Sequence, residues 1–321
     1  MNITRRLLIA AGLWAAASLA AAQAWPTRPL RIVVPYAPGG TSDAVARLLA
    51  ERLQPALGQP VVVENRAGAS GTAGMDAMAK STDGHTIAFS AISPLTLNPH
   101  LQHVPYDPLK DVVAVAPVMY SPVYLVATSA FSGKGFADVI AQARAQPGKI
   151  AVATSGMGSV GHVMLEQIGR RAGVRFNHIP YKGSGQVIND AAGGQFELFT
   201  TNPSPAVNGL IAQGKLRVLA VAAPHRLAGF PDAPTFNELG HPDANLSSVF
   251  GIFAPSHTPP EVLKRLNAEV NKLLADKDIQ ERLARLDNLV SPGSTEQFTA
   301  QVQREFEANA RVVKEAGIRV D

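Results

Sequence analysis

The chain has 321 residues and a formal net charge of +4, and 46% of its residues are hydrophobic. This length allows two domains of ordinary size, and the composition excludes an intrinsically disordered chain. Aromatic residues make up only 6% of the chain and no stripe of lysine and arginine is present, so nucleic acid is excluded as a partner.

The first 24 residues have the pattern of a secretory signal peptide. Arg5 and Arg6 form a short basic region, residues 7–20 are apolar, and Ala22-Gln23-Ala24 is a small-x-small cleavage site. The apolar stretch is short for a membrane span, so we expect cleavage before Trp25. The chain contains no cysteine, which excludes disulfides, thiolate metal sites and a lipid anchor. The sequence predicts a periplasmic protein without a lipid anchor, exported by the general or the twin-arginine route.

Apolar strands and amphipathic helices alternate along the rest of the chain. Strands are predicted at 30–35, 61–64, 86–90, 123–128, 150–155, 176–179, 196–200, 216–222 and 250–254. Helices are predicted at 43–53, after 74, near 136–145, from 162 and near 186–192. Two C-terminal helices, 262–275 and 298–316, follow capping boxes. This alternation predicts an α/β fold of mostly parallel sheets flanked by helices.

The motif Gly156-x-Gly158-x-x-Gly161 has the spacing of a dinucleotide-binding loop. Such a site also needs an acidic residue about 20 positions later to bind the ribose, but residues 175–180 contain none and the first Asp after the motif is Asp190. The chain has no P-loop and no nucleophile-elbow or zinc-protease motif. We therefore predict no cofactor, no metal and no enzymatic activity. An enzyme that uses Ser159 or His162 stays open as the alternative.

Three loops rich in glycine and serine have the character of anion sites. Residues 39–42 and 155–159 each join a predicted strand to a helix, and residues 90–93 follow a third strand. Backbone N–H groups at a helix N-terminus, together with the helix dipole, favour a negative charge. Because ligands of open α/β sheets bind beyond the carboxyl ends of the strands, the loops predict a carboxylate ligand in a cleft. The alternative is that the glycines only permit tight turns.

The sequence resembles the Bug family, the periplasmic solute receptors of tripartite tricarboxylate transporters. The resemblance covers the mature chain in order and rests on residues 25–40 with Asp43, 58–66, 83–86, Gly156-x-Gly158-Ser159-x-x-His162, Pro180-Tyr181-Lys182-Gly183, Gly193-Gly194-Gln195 and 231–235. It implies a two-domain type II periplasmic-binding fold, with domain 1 at 25–125 plus 247–321 and domain 2 at 126–246. It also implies delivery of a small organic acid to the membrane components of such a transporter. A role as adaptor for a sensor kinase stays open, and a monomer is expected.

The resemblance also implies which residues bind the ligand. These are Tyr36, Gly40, Thr41, Ser42 and Ser93 from domain 1, and Ser155, Gly156, Ser159, His162 and Thr201 from domain 2. Their alternative roles are a core aromatic residue, helix caps and a buried histidine with satisfied hydrogen bonds. Many family members have Phe-Asp-Asn where this chain has Thr200-Thr201-Asn202. Without an acidic residue at position 201 to pair with an ammonium group, we predict a carboxylate ligand that lacks an amino group.

Overall fold

The computed structural model describes residues 25–316, so the predicted signal peptide lies outside the described residues. The strands are β1 Leu30–Val34, β2 Val61–Asn65, β3 Thr86–Ala91, β4 Val112–Ser121, β5 Val123–Ala127, β6 Ala151–Thr154, β7 Asn177–Pro180, β8 Leu198–Thr201, β9 Arg217–Ala222, β10 Ser248–Pro255 and β11 Leu289–Val290. The α-helices are α1 Thr41–Leu57, α2 Thr72–Ala79, α3 Ser93–Thr96, α4 Asn98–Leu101, α5 Phe136–Ala145, α6 Val160–Ala172, α7 Ser184–Ala192, α8 Pro205–Ala212, α9 Pro260–Leu274, α10 Lys277–Ala284 and α11 Thr295–Ala316.

Two sheets organise these elements. The first has the strand order β11-β4-β10-β3-β1-β2 and the second the order β7-β6-β8-β5-β9. Strand β1 pairs in parallel with β2 and β3, and β6 pairs in parallel with β7 and β8. Strands β4, β5, β9, β10 and β11 pair antiparallel with their neighbours. The predicted α/β fold is confirmed, but the sheets are mixed, because strands at the passages between the sheets add antiparallel pairs to the βαβ units.

The chain passes between the sheets twice. The first passage is the single residue Pro122 between β4 and β5, and the second lies between β9 and β10. Strand β5 begins at Val123 and lies in the second sheet, so the predicted domain boundary after residue 125 falls inside it. The predicted boundary after residue 246 falls just before β10. The assignment of residues to two domains stays a prediction.

Each sheet has its own apolar core. Helix α1 has leucines at positions 49 and 53 that pack on β1, together with Leu266 and Val270 of α9. In the second sheet Met164 and Ile168 of α6 pack against Val152 of β6. The i, i+4 spacing of these pairs places them on one helix face, as an amphipathic helix on a sheet requires. These cores fix the positions of the strand ends. The loops that lie between the sheets follow these strand ends.

Candidate functional site

A polar cavity lies between the two sheets. It encloses about 570 Å³ of space not filled by atoms, its open mouth included. Seven residues of the predicted site line it: Tyr36, Thr41, Ser42, Ser93, Ser155, Ser159 and Thr201. Ten further residues line it that sequence reasoning missed: Ser70, Ala91, Val123, Val160, Gly161, Ser184, Thr200, Asn202, Ser248 and Phe250.

The N-terminus of α1 supplies one wall of the cavity. Its first residues are Thr41 and Ser42, and the preceding Gly40 has no side chain to cap the helix. The first N–H groups of a helix have no acceptor within it, so they remain as donors for a ligand. Thr41 Oγ1 donates a hydrogen bond of 2.8 Å to Pro203 O, which ties this wall to the second sheet. An anion in the cavity would accept hydrogen bonds from these unpaired N–H groups of α1.

The acidic residue in the first turn of α1 does not line the cavity, and its carboxylate is paired with neighbouring groups. Asp43 Oδ2 accepts a 3.0 Å hydrogen bond from Gly39 N, and Oδ1 forms a 2.9 Å ion pair with Arg47. Burial alone would raise the pKa of Asp43, but the bonds from Arg47 and Gly39 outweigh it and hold the pKa below its usual value. The carboxylate therefore stabilises the helix start and leaves the cavity lining uncharged.

Helices of the second sheet supply the opposite wall. Helix α6 begins beside the cavity, where Ser159 Oγ caps it by accepting a hydrogen bond from His162 N. Helix α7 begins at the lining residue Ser184, and its cap position is Gly183, which provides no side-chain cap. Thr200 in β8 is 2% exposed, and its Oγ1 has no hydrogen-bond partner in residues 25–316. This hydroxyl oxygen is enclosed by the protein and is not exposed to the cavity.

The surroundings of the cavity favour a negative charge, although no charged side chain lines it. Helices α1, α6 and α7 begin at it, and α2 begins two residues after the lining residue Ser70. The N-terminus of a helix acts as roughly half a positive charge, so several helix starts around one space produce a positive potential. Burial raises the pKa of Tyr36, which keeps its hydroxyl protonated as a donor. Backbone amides and hydroxyls can thus bind a carboxylate at little desolvation cost.

Three residues of the predicted site do not line the cavity: Gly40, Gly156 and His162. The two glycines lie where loops of the two sheets meet. A Cβ at Gly40 would overlap Ser184 Oγ and lie 3.3 Å from Gly185 N. Gly156 has a φ of +142°, and a Cβ there would overlap Ser70 Oγ and lie 2.9 Å from Tyr181 O. These glycines allow close approach of the two walls.

The histidine of the predicted site is buried beneath its own loop. His162 is 3% exposed, and its Nδ1 accepts a 3.1 Å hydrogen bond from Gly158 N. Its ring stacks on that of His178, with centroids 4.3 Å apart. Burial and the neighbouring ring lower the pKa of His162 to about 3, and burial lowers that of His178 to about 4. Ser159 is bonded to the backbone N of His162, and the imidazole itself supports the loop.

The histidine pair predicts a dependence of stability on pH. Both pKa values lie below the ordinary value of 6.5, so the unfolded chain binds more protons than the folded one as the pH falls below about 6.5. The contribution of the two histidines to the free energy of unfolding is therefore fully present above that pH. It is lost below that pH, by up to about 1.4 kcal/mol per histidine per pH unit. His178→Phe keeps a ring against His162 and should halve this loss. The measurement is urea unfolding of both proteins between about pH 4.5 and 6.5. An equal slope in the two proteins would contradict the prediction.

Residues 25–316 contain neither a candidate metal site nor a membrane-spanning helix. No group of three acidic or histidine side chains is arranged to hold a metal ion within this range. None of the helices in this part of the chain combines the length and the apolar character required to cross a membrane.

Comparison with known proteins agrees with this geometry. A family model described as the tripartite tricarboxylate transporter family receptor (TctC) matches residues 45–318. The chain is 39% identical to the protein BugT of Bordetella pertussis over 329 residues, with 100% of both chains covered.

Two solved structures each match nine tenths or more of this chain. An adipate-bound protein of R. palustris has a TM-score of 0.87 and 33% identity, covering 92% of this chain and 99% of that one. MatC of Rhodopseudomonas palustris with bound malate has a TM-score of 0.84 and 30% identity, covering 90% of this chain and 100% of that one. Two sheets with flanking helices and a polar cavity between them define a periplasmic-binding-protein fold. The chain belongs to the TctC family of tripartite tricarboxylate transporter receptors. The resemblance stated from the sequence is confirmed.

Proposed function

We propose that this chain is a periplasmic receptor that captures a small organic carboxylate between its two sheets and delivers it to a tripartite tricarboxylate transporter. One observation carries the proposal: helix N-termini and hydroxyl groups from both sheets surround a cavity that no charged side chain lines. The malate and adipate bound by two similar proteins support the same ligand class.

The binding residues are proposed to act in two groups. Thr41, Ser42 and Ser93 bind one end of the ligand with the helix start of α1, and Ser155 and Ser159 bind the other. Tyr36 and Thr201 complete the walls, with the missed residues Ser70, Ser184, Thr200 and Asn202 beside them. Gly40 and Gly156 permit the walls to meet, and His162 supports the loop before α6. The two sheets act as the cores of two domains that close by a hinge motion, namely the predicted 25–125 plus 247–321 and 126–246 with the first boundary moved to Pro122.

A thermal unfolding screen tests this function. We expect the mature chain, residues 25–321, to be stabilised by about 2.7 kcal/mol when a carboxylate ligand is present at about 100 times its dissociation constant. Succinate and succinamide form a matched pair of similar shape in which only the acid is charged. The ligand should be recovered unchanged, because a receptor carries out no turnover. Stabilisation by nucleotides alone, or by the amide as well as the acid, would refute the proposal.

Malate and aspartate provide the matched test for the amino group, since they differ only in a hydroxyl and an ammonium. Thr201 offers a hydroxyl where an acidic residue would bind an ammonium, and its Oγ1 already donates a 3.0 Å hydrogen bond to Asn202 O. No carboxylate lines the cavity. We therefore expect hydroxy acids and plain diacids to bind and their amino counterparts to bind much more weakly. High-affinity aspartate binding would contradict this ligand class while leaving the receptor function intact.

A further inference from the structure

A second pocket, here called the side pocket, adjoins the polar cavity. Ala91, Ser93 and Val160 line both spaces. The side pocket encloses about 450 Å³ of unfilled space, its open mouth included. A ligand held in the polar cavity therefore has room to extend past Ser93. The residues that form the apolar walls of the side pocket are Ile92, Leu97, Val163, Leu246 and Val249.

The C-terminal helix α11 supplies the polar end of the side pocket. Glu305 and Asn309 lie one turn apart on it, and both are half-buried. Glu305 Oε1 accepts a 3.2 Å hydrogen bond from Gln301, whereas Oε2 receives none from residues 25–316 and is not enclosed by the protein. Asn309 Nδ2 donates a 3.3 Å hydrogen bond to Thr96 Oγ1, and its Oδ1 is open and unpaired within the same range. Helix α11 therefore offers this pocket two free acceptors, and the donor of Asn309 is already used.

The rest of the polar lining does not balance these acceptors. Thr96 Oγ1 donates its proton to Ile92 O at 3.1 Å, which leaves none for a ligand. Within residues 25–316, no lysine, arginine or histidine lines the side pocket. Burial raises the pKa of Glu305, and the hydrogen bond from Gln301 and the charge of Arg304 offset this only in part. The carboxylate of Glu305 has thus lost hydration without gaining an ion pair.

These properties select the kind of group that fits the side pocket. A hydroxyl or an ammonium group can donate to an acidic side chain and to an amide oxygen, and hydrogen bonds to a charged acceptor are the stronger ones. A second carboxylate would instead lie near Glu305 with no cation beside it, where two like charges repel strongly because little water screens them. The side pocket is therefore opposite in character to the polar cavity, which favours a negative charge.

We propose that the side pocket is a subsite that accepts a hydroxyl or ammonium group at the end of the ligand far from its carboxylate, and that Glu305 rejects a second carboxylate there. The inference rests on the proposed function, since the first carboxylate stays in the polar cavity. A diacid short enough to lie within that cavity does not meet Glu305, whereas a longer one does. An ammonium next to the first carboxylate, as in aspartate, lies in the polar cavity and gains nothing from Glu305.

Titration calorimetry of the mature protein with adipate and 6-hydroxyhexanoate tests the proposal. The two acids have chains of equal length and differ in the group at the far end. Glu305→Gln keeps the shape and one acceptor but removes the charge. We expect the ratio of the adipate Kd to the 6-hydroxyhexanoate Kd to fall by about tenfold or more in this variant, because repulsion of adipate is relieved and the hydroxyl loses a charged acceptor. With 6-aminohexanoate in place of the hydroxy acid, a larger fall would identify ammonium as the preferred group.

The matched control is Glu307→Gln. Glu307 is exposed on the same helix and lines neither space, so this variant should keep the parental ratio. Succinate is short enough for the polar cavity and should bind the parent and both variants equally. If succinate binds but Glu305→Gln leaves the ratio unchanged, or Glu307→Gln lowers it as much, the side pocket is not a subsite and this inference alone is overturned. If neither succinate nor the longer acids bind the parent, the proposed function is refuted and this inference with it.

Discussion

Gly185→Ala is expected to weaken carboxylate binding by about a hundredfold without lowering the stability of the ligand-free protein. Gly185 is the second residue of α7, and a Cβ there would overlap the carbonyl oxygen of Pro38 and lie 3.0 Å from its carbonyl carbon. Pro38 belongs to the loop before α1, so this glycine lets a helix of the second sheet reach a loop of the first. The overlap is with backbone, and rotation of a side chain cannot relieve it.

The magnitude follows from the cost of overpacking. Extra atoms in a packed contact cost about 1–3 kcal/mol, and backbone overlap belongs at the upper end. Each 1.4 kcal/mol is about tenfold in affinity, so failure to close costs about a hundredfold. In an open form the contact is absent, and alanine within a helix is favoured over glycine by about 1 kcal/mol. Titration calorimetry and thermal unfolding of the two proteins measure both quantities, and small-angle scattering reports whether ligand still makes the variant more compact.

The matched control is Gly209→Ala. Gly209 is also a helical glycine of the second sheet, in α8, but nothing lies within 4 Å of a Cβ there. This variant should bind and compact like the parent protein. If Gly185→Ala also binds at parental affinity with full compaction, the Pro38 loop does not have to meet α7 for capture, and the proposed closure is wrong.

Much of the lining of the polar cavity could be predicted, because its residues follow local rules. Thr41 and Ser159 lie at helix starts after glycine-rich turns, and such starts can be read directly from the sequence. Ser93 and Ser155 could be predicted in the same way, because they lie at or just after the ends of predicted strands. These positions depend on short-range patterns, so no knowledge of the partner segment is needed.

The missed residues depend on contacts between distant parts of the chain. Thr200 is a β-branched residue in a buried strand, as many core residues are. Only its closeness to Gly161 and its place in the cavity wall distinguish it from a core residue. Strand β10 begins at Ser248, two residues before its predicted start, because pairing with β4 extends it. Ser184 had a local signal, the glycine on each side at a helix start, which resembles the two loops that were recognised.

His162 shows what a sequence motif does not predict. Its position three residues after Ser159 fits the motif, but the spacing of a motif does not tell where a side chain points. Helical side chains lean toward the N-terminus of their helix, which turns this ring onto Gly158 of its own loop. The partner ring, His178, lies on β7 beside β6, and the distance along the sequence concealed that pairing.

Asn202→Asp is expected to weaken carboxylate binding by more than a hundredfold at neutral pH. Asn202 lines the cavity, and its Nδ2 donates to Pro122 O at 2.9 Å and to Ser248 Oγ at 3.0 Å. It thereby joins the two passages between the sheets. The aspartate has the same shape but no donor, and its charge faces the Pro122 carbonyl and the bound anion. Two charges roughly 5 Å apart repel by about 3 kcal/mol at an effective dielectric constant of about 20.

The pH dependence separates charge from lost hydrogen bonds. Burial and a bound anion both raise the pKa of an introduced carboxyl, so lowering the pH neutralises it and restores affinity. We expect the ratio of variant to parent dissociation constants, from titration calorimetry, to fall steadily from about pH 8 to about pH 5. A ratio that does not change with pH would attribute the loss to the hydrogen bonds between the passages alone.

Asn245→Asp is the control for lost donors. Asn245 Nδ2 donates a 2.8 Å hydrogen bond to Ala223 O, outside the cavity lining, so this change should lower stability and leave affinity unchanged. If both variants reduce affinity equally, general destabilisation explains the effect. If Asn202→Asp binds carboxylates like the parent protein, the anion does not lie between the two sheets at all. That result would refute the assignment of the cavity, since Asn202 is part of its lining.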